Sequence, residues 1–485
     1  MTITTGSVDA KNTGFFGHPR TLSNLFSVEM WERFSFYGMQ AILAYYMYFT
    51  VEQGGLGLSK ELALSLVGAY GGAVYLSTIL GAWVADRLLG SERVLYFSAF
   101  LIMGGHVALA LIPGGMGLAI GLVLVAVGSG GLKANATALV GSLYTKEDTR
   151  RDAGFSIFYM GVNVGGLLGP LLTGFLQQTL GFHIGFGAAA IGMALGLTIY
   201  TMGRKNLPAS VHHVANPLPV DKRPRYAGFF LAGVVGLAAV FLLGWIKVEN
   251  LANTIAVVVI LCTIIYFWVI LSSTRVTHTE RRQVFAFIPL YIASAAFWAL
   301  YQQQFTFIAV YSEERLDRTI FGWEMPASWV QSINPVFIIV LAGVFAALWT
   351  KLGTRQPGTA IKFSLSLAIV GLAFLTFIPL ESLEKTPLMA LVGILFLCTL
   401  AELLLSPIGQ SVTTKLAPAA FGTQMVALFF LSISLGTTLA GILAGYYVPG
   451  NEIPYFLALG GTAIVLSIAL AACAPMLKKL MGSVR

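Results

Sequence analysis

Charge is scarce in this 485-residue chain, where Asp, Glu, Lys and Arg together make up 10% of the residues. A soluble globular domain carries about a quarter, so the composition excludes an ordinary soluble fold. Long polar stretches are missing too. The longest interruption between apolar runs is Arg204 to Arg225, which leaves no room for a sizeable soluble sensor domain. Cysteine is nearly absent. Cys262, Cys398 and Cys473 each fall in an apolar run at no metal-like spacing, so neither a disulfide framework nor a metal site is expected. No His-Glu-x-x-His, no Gly-x-Ser-x-Gly and no paired metal ligands occur, which argues against an intramembrane enzyme. His106 and His183 stand alone, and His212 and His213 fall in the polar interruption, so each reads as a solvated or packed histidine. The first 25 residues are polar, without the apolar core of a signal peptide. The first span is expected to serve as the insertion signal.

What is present is apolar length. Hydrophobic residues make up 57% of the chain, and the mean hydropathy is +0.81. A membrane-spanning helix needs ~20 mostly apolar residues. Fourteen such windows occur, near 26–50, 62–88, 92–112, 115–143, 153–177, 181–203, 225–247, 252–273, 283–311, 327–350, 359–379, 387–413, 422–447 and 452–477. The interruption at 204–225 holds Pro208, Pro217, Pro219 and Pro224, which suits a linker. The pair of spans that follows has little polar content beyond Thr263 and Tyr266 and reads as a lipid-facing accessory hairpin. Setting it aside leaves two six-span stretches. The expected domains are a bundle over 1–203, a linker plus hairpin over 204–279 and a second bundle over 280–485.

The formal charge of +8 reflects topology rather than affinity for nucleic acid. With both ends assigned to one side, 22 of the 29 Lys and Arg fall there, Lys11, Lys146 and Arg485 among them. Five lie opposite and two, Arg33 and Lys133, lie within spans. An excess of this kind sets orientation, so both termini are expected to be cytoplasmic.

Ionisable groups inside a membrane are costly and by default functional. Five qualify: Glu29, Glu32, Arg33, Lys133 and Glu402. Glu29, Glu32, Arg33, Tyr37 and Gln40 occupy one arc of about 140° on the first span, which must therefore face protein or water. Two acids against one arginine leave a negative surplus, and Lys133 supplies the missing cation. Protonating an acid in such a cluster releases the lysine, a physical basis for coupling protons to helix movement. A static cluster that only ties helices together is the plainer alternative, and the two are compatible. The glycines of Gly128–Lys133 lack the Gly-Lys-Ser/Thr ending of a phosphate loop and read as packing residues. Glu402 sits alone before Pro407, with no intramembrane cation left for it. It is either protonated or paired by a cation that arrives with the substrate. Lys133 and Glu402 thus give a positive and a negative end suited to a small zwitterion. Tyr75, Asn135, Asn163, Gln331, Asn334 and Gln410 supply further polar groups within spans.

Several ordered motifs carry a family resemblance. They are Glu29, Glu32, Arg33 and Phe34 as Glu-x-x-Glu-Arg-Phe; Asp86-Arg87-Leu-Leu-Gly90; Gly131-Leu-Lys133-Ala-Asn135; the run from Arg151 to Asn163; Phe297-Trp298; Gln331-Ser-Ile-Asn334-Pro335; and Glu402 with Ser406-Pro407. They cover nearly the whole chain, which resembles the proton-dependent oligopeptide transporters of the major facilitator superfamily. The resemblance implies an all-α membrane protein of two six-helix bundles plus the inserted hairpin, in a bacterial inner membrane. It implies proton-coupled uptake of di- and tripeptides by alternating access, with no cofactor, with peptide, protons and lipid as partners, and with a monomer as the working unit. It assigns proton coupling to Glu29, Glu32, Arg33 and Lys133. Substrate contact falls to Tyr37, Gln40, Tyr75, Lys133, Asn135, Asn163, Gln302, Asn334, Glu402 and Phe429. Asp86, Arg87 and Gly90 form the cytoplasmic-loop signature, weakly echoed at Lys351-Leu-Gly353-Thr-Arg355.

Two departures stand out. Many members carry an arginine where this chain has Gln40 and an acid where it has Gln302, a pair thought to meet at the extracellular gate. Both are neutral here, which predicts a gate closed by amide hydrogen bonds that does not titrate. Gln302→Glu should then impair uptake more than Gln302→Glu combined with Gln40→Arg; equal effects would sink the idea. Phe429 and Phe36 also replace a frequent Trp and Tyr and alter the pocket. The alternative function is proton-coupled carriage of another small solute: a peptide-like drug, an amino-acid conjugate or an anion such as nitrate. The plant branch that moves nitrate generally lacks the Glu-x-x-Glu-Arg-Phe motif, and a simple anion gains nothing from Glu402.

Overall fold

The computed structural model describes residues 13–144, 148, 150–212, 214 and 217–482. Lys11, Lys146, His213 and Arg485 of the sequence reading lie outside them. The chain is a run of α-helices: α1 (Arg20–Tyr48), α2 (Lys60–Val84), α3 (Ser91–Leu111), α4 (Gly114–Ser142), α5 (Arg151–Leu180), α6 (Phe182–Gly203), α7 (Arg223–Leu242), α8 (Leu251–Ser272), α9 (His278–Tyr301), α10 (Phe307–Glu314), α11 (Ile333–Leu352), α12 (Thr359–Leu375), α13 (Leu388–Leu416), α14 (Gly422–Ala444) and α15 (Ile453–Met481). Among the described residues, twelve segments are long and apolar enough to cross a membrane. The N-terminal half of α1 carries Glu29, Glu32 and Arg33, and α1 is not among the twelve.

The ninth expected span, 283–311, is not continuous. The α-helix stops at Tyr301, Gln302–Phe305 tighten into a 3-10 turn, and Thr306 (φ −121°, ψ −97°) leads into α10. Side chains hold the break. Gln303 Oε1 accepts from Tyr455 at 3.0 Å and from Thr306 Oγ1 at 3.0 Å. The eleventh helix is likewise preceded by a 3-10 segment, Ala327–Ser332. Pro335 falls in its first turn, where a missing N–H costs nothing.

The chain forms two compact units, one of Met1–Ile42 with Ser77–Lys247 and one of Leu43–Leu76 with Val248–Arg485. In the first, α5 presents Gly161, Gly165 and Gly169 at four-residue spacing to α1. A methyl group at Gly165 would stand 2.2 Å from the Met30 carbonyl oxygen, and one at Gly169 2.4 Å from that of Phe34. Close backbone approach through such a stripe is how helices associate without a hydrophobic drive. It fixes the rotation of α1 and hence of its charged arc. Thr173 Oγ1 adds a hydrogen bond to the Gly38 carbonyl at 2.8 Å.

The loop signature is a π-helical turn, Ala85–Leu89, closed by Gly90 at φ 83°. Beside it, Glu92 at the start of α3 is fully buried. It accepts from Arg204 Nε at 2.8 Å and Nη2 at 2.9 Å, and His212 Nδ1 lies 3.3 Å away. Arg204 stacks 3.8 Å over the Tyr96 ring. Leu218 N–H donates to the Arg87 carbonyl at 2.9 Å. The linker is therefore docked on the end of α3, and His212 packs on a carboxylate there.

In the second unit the C-terminal end of α1 and the N-terminal part of α2 pack on the C-terminal helices. Tyr45 donates to the Ala309 carbonyl at 2.9 Å, and Lys60 pairs with Glu314. Ser434 donates to the Gly72 carbonyl at 2.7 Å. A methyl at Gly68 would stand 2.5 Å from Gly441 Cα. In the accessory pair, Thr263 of α8 is buried, and its hydroxyl meets that of Tyr291 on α9 at 2.7 Å. That face of α8 is buried in protein.

Candidate functional site

The first unit gathers the charges of α1. Arg33 Nε lies 3.0 Å from Glu29 Oε1 and 2.6 Å from Glu32 Oε2, so one guanidinium serves two carboxylates. All three are buried, Glu32 completely. Ser129 of α4 donates to Glu32 Oε1 at 3.1 Å. Lys133 lies one turn further along the same face of α4. Its Nζ sits 5.5 Å from the centroid of the Phe36 ring, which the Arg33 guanidinium also approaches at 5.4 Å. Lys133 also interacts electrostatically with Glu32, Glu29 and Tyr37. Two acids and two bases are thus held in a mutually compensating group, as buried charges require. Ser129 was not singled out by the sequence reading, although its four-residue spacing from Lys133 was the available signal.

The remaining first-unit candidates are placed differently. Tyr37 is half-buried and Gln40 buried on α1. Asn135 Nδ2 donates to the Gly131 carbonyl at 2.8 Å and Asn163 Nδ2 to that of Tyr159 at 2.9 Å, both within their own helices. Each amide is held in one orientation, with its oxygen outside that bond.

The second unit holds Glu402, buried in α13 five residues before Pro407. Tyr301 donates its hydroxyl to Glu402 Oε2, and Asn334 stands in hydrogen-bonding range of the same carboxylate. Asn334 Nδ2 also donates to Thr399 Oγ1 at 3.0 Å. Among the described residues, the partners of Glu402 are thus a hydroxyl and an amide rather than a cation. On α9, its 3-10 turn and the segment before α11, Trp298 Nε1, Gln302 Oε1, Gln303 Nε2, Ser328 Oγ and Gln331 Oε1 are buried with no hydrogen-bond partner among the described residues. Such atoms are rare in folded proteins. Phe429 is buried against Gly409, where a methyl would come within 2.6 Å of its ring. Tyr75 is half-buried on α2. Tyr301 and Thr399 were missed, because single hydroxyls in apolar spans carry no sequence signal.

Compared with known proteins, residues 92–456 match the model of the POT family. The chain belongs to the POT family. It is a membrane transporter of the major facilitator fold and not an enzyme. A di-/tripeptide transporter of Lactococcus lactis subsp. cremoris is 41% identical, over 97% of this chain and 98% of that one. The uncharacterized transporter YclF of Bacillus subtilis strain 168 is 42% identical, over 97% and 96%. A crystal structure of peptide transporter POT in complex with sulfate superposes with a TM-score of 0.93 at 44% identity, covering 96% of this chain and 97% of that one. Over this POT-family backbone, Gln302 and Gln40 are the buried amides noted above.

Proposed function

We infer that this transporter carries di- and tripeptides across the cytoplasmic membrane, driven by protons, by exposing its binding groups alternately to the two sides. The observation that carries the reading is Glu402. A buried carboxylate is costly without a counter-charge, and here its neighbours are neutral donors. The ammonium of a peptide supplies that charge, with Asn334 beside it. In the other unit Lys133 and Asn135 offer a cation and an amide to a substrate carboxylate. Tyr37, Tyr75, Asn163 and Phe429 serve as lining groups.

Proton coupling belongs to the Glu29, Glu32, Arg33 and Lys133 group. A proton on one acid removes the charge that holds Lys133, and its loss lets the pair re-form. Protons move the transporter only so far as they bind its states unequally, and a cluster whose pairing changes with conformation meets that condition. The carrier works as a monomer in the inner membrane, with both termini in the cytoplasm.

Dialanine uptake into proteoliposomes tests the substrate class. Other dipeptides should compete with it and free alanine should not. Equal competition by alanine, or no uptake by folded protein, would contradict the peptide reading.

A further inference from the structure

Tyr301 occupies a singular place. It is the last residue of α9, directly before the 3-10 turn Gln302–Phe305, and its hydroxyl donates to the one carboxylate buried in α13. Its ring is fixed on two sides. Phe297 stacks on it with centroids 5.4 Å apart and planes at 25°, and Trp298 meets it edge-on at 5.4 Å. A phenol has two side-chain torsions, and a ring packed in this way has one direction for its hydroxyl. The turn beyond is pinned in its own right through Gln303, Tyr455 and Thr306.

We propose that Tyr301 is a positioning residue for recognition of the substrate's amino group: it holds Glu402 in the orientation in which the remaining carboxylate lone pairs receive an ammonium. The proposal rests on the peptide reading above. A carboxylate has about four acceptor sites, so the phenol and Asn334 leave capacity for the ligand. A neutral donor suits this task. A lysine or arginine in its place would neutralise Glu402 and would have to be displaced by each substrate, whereas a phenol orients the carboxylate and leaves its charge to the substrate. The placement at the end of α9 also ties the amine site to the backbone break, so the orientation of Glu402 depends on the conformation of that turn.

Tyr301→Phe keeps the ring and both aromatic contacts and removes only the hydroxyl. The expected result is a KM for dialanine raised about tenfold with kcat changed by less than about twofold, near the lower end for a hydrogen bond to a charged group. The preference for dialanine over N-acetyl-dialanine, which lacks the ammonium, should fall by a similar factor. In a Glu402→Gln background the same change should add less than about twofold, since the two groups act through one another. An unchanged KM and an unchanged preference would overturn the proposal, as would an equal loss in both backgrounds and for both ligands, the mark of a packing role. A wild type that does not distinguish dialanine from its N-acetyl form overturns the peptide reading and the proposal with it. Normal discrimination by the wild type with an unaffected variant overturns the proposal alone.

Discussion

Lys133→Ala should abolish proton-driven accumulation of dialanine while leaving counterflow exchange partly intact. The reason is the balance of the cluster. Arg33 serves both Glu29 and Glu32, so without Lys133 the group holds one uncompensated negative charge at a buried site. Removing one partner of a buried ion pair costs about 3–5 kcal/mol, so the cluster must relieve that charge in another way. The cheapest relief is a standing proton on one acid, and an acid that keeps its proton on both sides of the membrane cannot couple. Exchange of internal for external peptide needs no net proton movement and survives in part. A variant that still concentrates peptide above equilibrium would remove Lys133 from the coupling mechanism.

Glu92→Ala should be the most destabilising single change where the linker docks on the first unit. It would strip Arg204 of two hydrogen bonds to a fully buried carboxylate and His212 of its partner. The linker would keep its backbone bond from Leu218 to Arg87. The guanidinium side chain is about a third exposed, which permits partial rehydration and places the loss near the lower end of the 3–5 kcal/mol range. The apparent melting temperature in detergent should fall by several degrees. Glu92→Gln, which keeps the shape and one acceptor, should cost less. A variant with the wild-type melting temperature would mean that the docked linker contributes nothing to the fold.

The spans were legible because apolar length is a strong signal, and the charged arc of α1 because charge within a span is rare. The same logic found Lys133 and Glu402. It passed over Glu92, which stands beside Arg93 at a span end and reads as a solvated loop charge until folding brings Arg204 to it from 112 residues away. The break after Tyr301 was hidden for a related reason. Gln302, Gln303 and Gln304 are flanked on both sides by apolar residues, and the helix stops where Gln303 is bonded by Thr306 and by the distant Tyr455. The glycine stripe of α5 has a four-residue spacing in the sequence, but nothing local names α1 as its partner. The compact units divide α1 and α2 at Ile42 and at Ser77, a partition set by the contacts of Tyr45, Gly68 and Gly72 with distant helices rather than by any local feature of sequence. Tyr301 had no signal at all, since the carboxylate it bonds lies 101 residues further along.

Whether a proton gradient drives peptide inward through this protein is decided by dialanine accumulation in proteoliposomes with an inward proton gradient. Uptake should overshoot equilibrium and collapse when an uncoupler is added. Uptake that reaches the same level with and without the uncoupler would contradict proton coupling and leave a facilitator of peptide movement.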